Sequence, residues 1–447
     1  QAMPRPGTLP RLNRAAVDLI VKAGLAAGSE IVPRMTFDRK HYFYPDLPKG
    51  FQITQRFSPL CRGGEIAYRL PDGEARTLRL RGLHLEEDAG KLTHDGQAGN
   101  TRIDYNRCGI PLIELVSEPG LRSAEETVAF LKAWRAILIR LGVSACRMEE
   151  GGFRADVNIS LRPSGTREEG TRTEFKNLSS FQTVQRAVEW ELARQAGLLA
   201  AGKTVEQCTF RFDEQLRVGI PLRRKETAAE YFYFAEPDLP VVLLDSAYIE
   251  TLRASLPELP EAQRLRYERE YGLPSQQAAR LAESARSGRF FEEAAVCCGE
   301  AGQAAAWVLG DVAALLSERG LTLESAAPSG RRLGELIALT RQKKLARQDA
   351  KGLLWEAVFE DRDPLVLARE RDLLLREETG LAQAVEKALC EHGASVQDYR
   401  RGKKNALNFL VGQVMRSAGR GTDPEAVRRL LTKRLEREEP EDDAGKA

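Results

Sequence analysis

A chain of 447 residues exceeds what one hydrophobic core serves, so two to four domains are expected. Its 67 Lys and Arg nearly balance 65 Asp and Glu, so any polyanion-facing surface must come from local clustering of charge. No run of about 18 apolar residues occurs and no charged-then-apolar N-terminal segment resembles a signal peptide, so a cytoplasmic protein is expected.

The opening QAMPRPGTLP runs straight into a helical pattern from Arg14 to Ala26, which reads as the middle of a domain and predicts that an N-terminal piece is missing. In Phe37 to Gln55, the rings of Tyr42, Phe43 and Tyr44 alternate with Arg39, Lys40, His41, Asp46 and Lys49. That mixture suits core aromatics or a pocket for a charged, partly planar ligand. Glu65 to Leu70 and Thr77 to Leu85 alternate as two strands around the turn Pro71-Asp72-Gly73. The hairpin delivers Glu86 and Glu87, which strict alternation puts on opposite faces.

The stretch from Leu83 to Pro119 concentrates the chemistry. It holds Glu86, Glu87, Asp88, Lys91, Glu114 and Glu118, either a charged surface hairpin or carboxylates gathered around a hard cation. Glu114 interrupts the apolar run Ile110 to Val116, so a buried carboxylate needing a compensating partner is expected there. Ser123 with Glu126 reads as a capping box, and Gly142 stops the helix it starts. Asp156 to Arg162 and Arg172 to Asn177 alternate as two strands, whose polar faces are either solvated or a substrate cradle.

Gly197 to Thr204 spells GLLAAGKT, a phosphate-loop pattern in the wrong context: a helix precedes it and a strand follows. From about Leu243 the alternation gives way to helical spacing. Seven cysteines without metal spacing fit reduced thiols, and the Cys297-Cys298 pair fits a helical core. A basic group from Arg400 to Arg434 is a candidate polyanion surface. The closing EEPEDDAGKA is acidic and predicted to be disordered.

Together, FDRKHYFYPDLPKGFQITQ, LEEDAGKLTH, DYNRCGIPLIELVSEP, FRADVNISLRP, EFKNLSSF, EPDLP and GKKNALNFLVGQVM resemble the B subunit of the tRNA-dependent amidotransferase. The resemblance spans about Leu9 to about Leu431. The related archaeal E subunit carries an inserted domain for which this chain has no room. The resemblance implies an α+β chain. A mixed α/β cradle domain with antiparallel sheet occupies 1–242, a helical domain 243–332, and a small all-α tail domain contacting tRNA 333–437, before the tail at 438–447.

The resemblance also implies ATP-dependent amidation of Glu-tRNA(Gln) or Asp-tRNA(Asn), with ATP and Mg²⁺ activating the side-chain carboxylate. Ammonia would come from an amidase A subunit, with a small C subunit completing a heterotrimer, because no serine-rich amidase signature or nucleophilic cysteine context occurs here. Carried over by residue, Glu87 and Glu114 are catalytic, and Glu87, Glu114 and the fallback Glu86 hold the metal. Lys91, Arg154, Asp156, Asn158 and Lys176 are expected at phosphate or aminoacyl groups, and Lys403, Lys404 and Arg416 at tRNA. The family's opening Gly-Leu-Glu and His strand and its cysteine-rich zinc loop do not appear, so an incomplete Mg²⁺ site and no zinc site are expected. Ser179 and Ala235 depart from the family's usual Asn and Pro, changes expected to be tolerated.

Overall fold

The computed structural model describes residues 9–42, 44–95, 100–166, 168–224, 231–375, 378–403, 405–418 and 424–437. The chain divides into two compact units, Gln1–Gln263 and Arg264–Ala447. The first mixes helix and sheet and the second is helical, so the chain is α+β.

The first unit opens with α1 (Arg14–Ala26), begun where the Asn13 side chain accepts from the Ala15 amide at 2.9 Å. Short strands follow: β1 (Glu30–Ile31), β2 (Arg34–Met35), β3 (Asp38–His41), β4 (Phe51–Thr54) and β5 (Cys61–Arg62). β6 (Glu65–Arg69) and the long β7 (Ala75–Glu87) make the expected hairpin, with Gly73 at φ +92° in its turn. β8 (Lys91–Asp95) and β9 (Asn100–Asp104) pair only with each other among the described residues, and β10 (Pro111–Ser117) returns to β7. The resulting sheet runs β1-β5-β7-β10. Its close packing needs Gly82, because a Cβ there would stand 2.1 Å from the Cys61 carbonyl oxygen.

α2 (Ala124–Arg140) covers this sheet with Phe130, Trp134 and Leu138. Its start corrects one expectation. Ser123 Oγ does accept from the Glu126 amide at 3.0 Å, but the Glu126 carboxylate reaches past the cap to the Arg122 amide and takes the Tyr68 hydroxyl and Arg76. A buried partner thus displaces the reciprocal half of the capping box.

A second sheet joins β11 (Ala155–Ile159), β12 (Thr173–Leu178), β13 (Cys208–Asp213) and β14 (Val218–Arg224) in sequence order. The β12–β13 pair is parallel, and α3 (Phe181–Ala200) is its crossover. Fully buried Phe175 centres the core between them, among Trp190, Phe210 and Phe212. The GLLAAGKT pattern therefore falls on the last turn of α3 and its stop at Gly202, φ +67°. β15 (Phe232–Ala235) returns to β3, and β16 (Val242–Leu243) to β2. α4 (Ser246–Ala254) then packs on α1, with Leu252 in the first core. Packing of the first unit thus continues past the compositional change at 242.

The division between units falls within α5 (Pro260–Tyr271). The second unit continues with α6 (Ser275–Ala282), α7 (Ala285–Cys298), α8 (Ala301–Trp307), a π turn at Val308–Val312, α9 (Ala313–Glu318) and α10 (Leu323–Ala326). α11 (Gly330–Arg341), α12 (Arg347–Phe359) and α13 (Pro364–Glu370) share their core, so the expected break at 332/333 falls inside one cluster, where Leu333 and Leu336 pack with Phe290 and Ala294. A separate cluster joins α14 (Glu378–Glu391), α16 (Asn405–Ala418) and α17 (Pro424–Arg437), with α15 (Gly393–Arg400) between them. Residues 438–447, expected to be disordered, lie outside the described residues. Among the described residues no helix is long and apolar enough to cross a membrane.

Candidate functional site

The β7–β10 register sets Glu114 opposite His84 and Leu112 opposite Glu86. Because side chains alternate along a strand, His84, Glu86 and Glu114 share one face. His84 Nε2 lies 3.2 Å from Glu114 Oε2 and 3.5 Å from Glu86 Oε2, and the Thr54 hydroxyl donates to Glu86 at 3.1 Å. One donor atom from each of the three lies within 4.8 Å of the others, and among the described residues no other such trio of His, Cys, Asp or Glu occurs. Two carboxylates and an imidazole suit a divalent cation.

Electrostatics agrees with that reading. Burial works to lower the His84 pKa, but hydrogen bonds and charge from Glu114 and Glu86 win and push it up to about 9. Burial works to raise Glu114, but the His84 contact and the nearby Lys40 hold it below the usual carboxylate range. The two carboxylates thus favour a positive charge at this place. Glu114 itself corrects the expectation of a buried carboxylate. Among the described residues β10 pairs with β7 alone, at the edge of its sheet, and its Glu114 side chain is 48% exposed.

Glu87 does not join the trio. Alternation turns it to the other face, where it pairs with Lys49 and accepts the Ile53 amide at 2.9 Å, while Gln52 donates to its carbonyl. The structure thus gathers Glu86 with Glu114 and leaves Glu87 as a tie between β7 and β4. Asp88, two residues beyond Glu86, meets Arg107 at 2.6 Å and Arg154 at 2.7 Å. In the second sheet Asp156, Asn158, Glu174 and Lys176 share the face opposite the Phe175 core. Asp156 accepts the Asn177 amide at 3.1 Å, and burial first, then Glu174 and Glu114, raise its pKa. Lys176 stands 3.5 Å from Glu174, and Lys91 is exposed on the β8–β9 hairpin.

A family model described as the GatB/GatE catalytic domain matches residues 2–250, and one described as the GatB domain matches residues 289–435. The chain belongs to the GatB family. The B subunit of the aspartyl/glutamyl-tRNA(Asn/Gln) amidotransferase of Caldicellulosiruptor saccharolyticus is 42% identical over 436 residues, covering 97% of this chain and 91% of the relative. The protein of the same name from Anaeromyxobacter dehalogenans is 42% identical over 436 residues, covering 96% and 90%.

For a GatB-family chain, the second unit carries the remaining candidates. Lys403 is exposed and paired with Asp398 at 3.0 Å, Arg416 is exposed on α16, and Lys404 lies outside the described residues. Sequence reasoning missed His84, although its place two residues before Glu86 on an alternating strand is a readable signal. Lys40 and Tyr42, from the stretch read as core aromatics or a pocket for a charged ligand, meet residues of β15 and its approach. There Lys40 Nζ lies 4.7 Å from the ring centre of Tyr231, and Arg56 lies over Tyr233 at 5.8 Å. Burial, then the charges of Asp46, Tyr231, Glu86 and Glu87, push the Tyr42 hydroxyl well above its usual range. The local mix of rings and charges signals such a pocket, but the pairing of β15 with β3 that assembles it has no local signal.

Proposed function

We propose that this chain is the component that activates the side-chain carboxylate of Glu-tRNA(Gln) or Asp-tRNA(Asn) with ATP and presents it to ammonia from a partner. The observation that carries this reading is the His84, Glu86 and Glu114 trio, set in a chain matched by the family along most of its length. A carboxylate cannot be amidated directly, because hydroxide is a poor leaving group. A carboxylate oxygen therefore attacks the γ-phosphorus, and the bond from that phosphorus to the ADP oxygen breaks. Ammonia then attacks the acyl carbon, phosphate leaves, and the nitrogen loses a proton.

Mg²⁺ held by Glu86, Glu114 and His84 neutralises phosphate charge when bound. The chain's own residues do the rest. His84 gives up its proton to serve as a ligand, and Thr54 orients Glu86 through its hydroxyl. Asp156, Asn158 and Lys176 offer the facing wall for the phosphate and aminoacyl groups. Lys403, Lys404 and Arg416 supply positive charge for the tRNA backbone. A partner amidase supplies ammonia, since the sequence carries no serine-rich amidase signature and no cysteine in a nucleophile context. Because water destroys an acyl phosphate, that ammonia must arrive shielded from solvent.

The test is ATP cleavage by the assembled complex with Glu-tRNA, Asp-tRNA and uncharged tRNA. Cleavage should require a misacylated tRNA and collapse in Glu86→Gln and Glu114→Gln, while Glu87→Gln costs less. Cleavage indifferent to tRNA charging, or untouched by Glu86→Gln, would sink the reading.

A further inference from the structure

We propose that Asp88 is a positioning residue that aims the guanidinium of Arg154 at the phosphate groups handled beside the His84, Glu86 and Glu114 trio. The proposal rests on the functional reading above: the family resemblance already places Arg154 at phosphate or aminoacyl groups, and the role of Asp88 is what is added.

Asp88 is a nearly buried carboxylate, its side chain 10% exposed, and both of its oxygens are engaged. Oδ2 takes Arg107 through Nε at 3.0 Å and Nη2 at 2.6 Å. Oδ1 takes Arg154 Nη2 at 2.7 Å and the Ala89 amide at 2.9 Å. With its acceptor sites occupied, Asp88 is poorly placed to bind a cation, though it lies only two residues from Glu86.

Its two cations are held unequally. Arg107 is boxed in: Gly151 sits at φ +71°, and a Cβ there would come 2.7 Å from Arg107 Nη1. Arg154 is tied through Nη2, and its side chain is 40% exposed. One carboxylate between two guanidiniums leaves a net charge of +1, carried by the more exposed arm. Asp88 itself continues the β7–β10 ladder, its amide donating to the Ile110 carbonyl at 2.8 Å, so alternation sets its side chain, and the Arg154 fork it holds, on the face of Glu86 and His84. Arg154 therefore borders the same space as the cation trio, with nitrogens left to meet phosphate oxygens. A planar fork held by a fixed carboxylate is pre-organised for that contact, which a freely moving lysine is not.

The test uses the assembled complex with misacylated tRNA and measures kcat and KM for ATP, KM for the tRNA, and the thermal midpoint. Arg154→Gln should lower kcat/KM for ATP by about 100-fold with an unchanged midpoint, the size expected for a lost charge-assisted contact to the reacting phosphate. Asp88→Asn should lower it by about 10-fold, and the double variant should be no worse than Arg154→Gln alone, because the two act as one device. Arg154→Lys should recover only part of the loss. If Asp88→Asn proves too unstable to assemble, Arg107→Lys replaces it with the same expected non-additivity. Multiplicative losses in the double variant, or an Arg154→Gln complex with unaltered ATP kinetics, would overturn the positioning role. A wild-type complex whose ATP cleavage ignores misacylated tRNA would instead bring down the functional reading, and this proposal with it.

Discussion

Removing the imidazole at the trio should change how stability depends on pH, and the size of the effect follows from the structure. In metal-free protein the His84 pKa rises from an ordinary 6.5 to about 9. At 1.36 kcal/mol per pH unit this is a ceiling of about 3 kcal/mol. Glu114, half exposed, is partly screened by solvent, which trims the expected value to about 2 kcal/mol. The sign follows from the raised pKa. The contribution is fully present below 6.5 and is lost as pH climbs through about 9. Denaturant unfolding of wild type and His84→Gln in a chelator, at several pH values, isolates it, because other titrating groups cancel in the difference. The wild-type advantage should shrink by about 2 kcal/mol between about pH 6 and about pH 10. A difference that stays flat with pH, or grows, would refute the charged His84 pairing.

Three further outcomes test the frame around the site. Gly82→Ala should destabilise the first unit by about 1–3 kcal/mol or more, since its Cβ collides with the Cys61 carbonyl, and calorimetry of the purified chain measures this directly. Phe175→Ala should cost about 3–5 kcal/mol by opening the core behind the Asp156 and Lys176 face, read as a lowered denaturation midpoint. Lys203→Ala should leave ATP cleavage at the wild-type rate, because the lysine is exposed beyond the end of α3 and faces no phosphate cradle. A clear loss of ATP affinity there would reinstate the phosphate-loop pattern.

The elements that sequence periodicity predicts well are those whose partners lie nearby. α1 spans Arg14–Ala26 as its spacing requires, and the β6–β7 hairpin follows its turn residues. The opposite faces of Glu86 and Glu87 also follow from alternation, but choosing between them requires knowing which face meets β10. That choice depends on a register set across the 26 residues that lie between Glu87 and Glu114. Glu114 reads as buried because its neighbours are apolar, yet an edge strand needs apolar residues on one face only. The pairing of Asp88 with Arg107 and Arg154 is beyond reach for a different reason. Ion-pair geometry depends on loop paths, and the backbone turn at Gly151 that makes room for Arg107 leaves no periodic trace.

The late return of β15 and β16 to β3 and β2 sets an order on biosynthesis. Arg39 cannot find Glu236 and Asp238, nor can Lys40 meet Tyr231, until nearly 200 further residues have left the ribosome. The β6–β7 hairpin and its β10 partner can pair long before that, so the trio's strands form while the β3–β15 pairing is still to be made. The chain cannot carry the complete site until those later residues have been made. Completion of the reaction chamber is therefore tied to synthesis of the whole first unit.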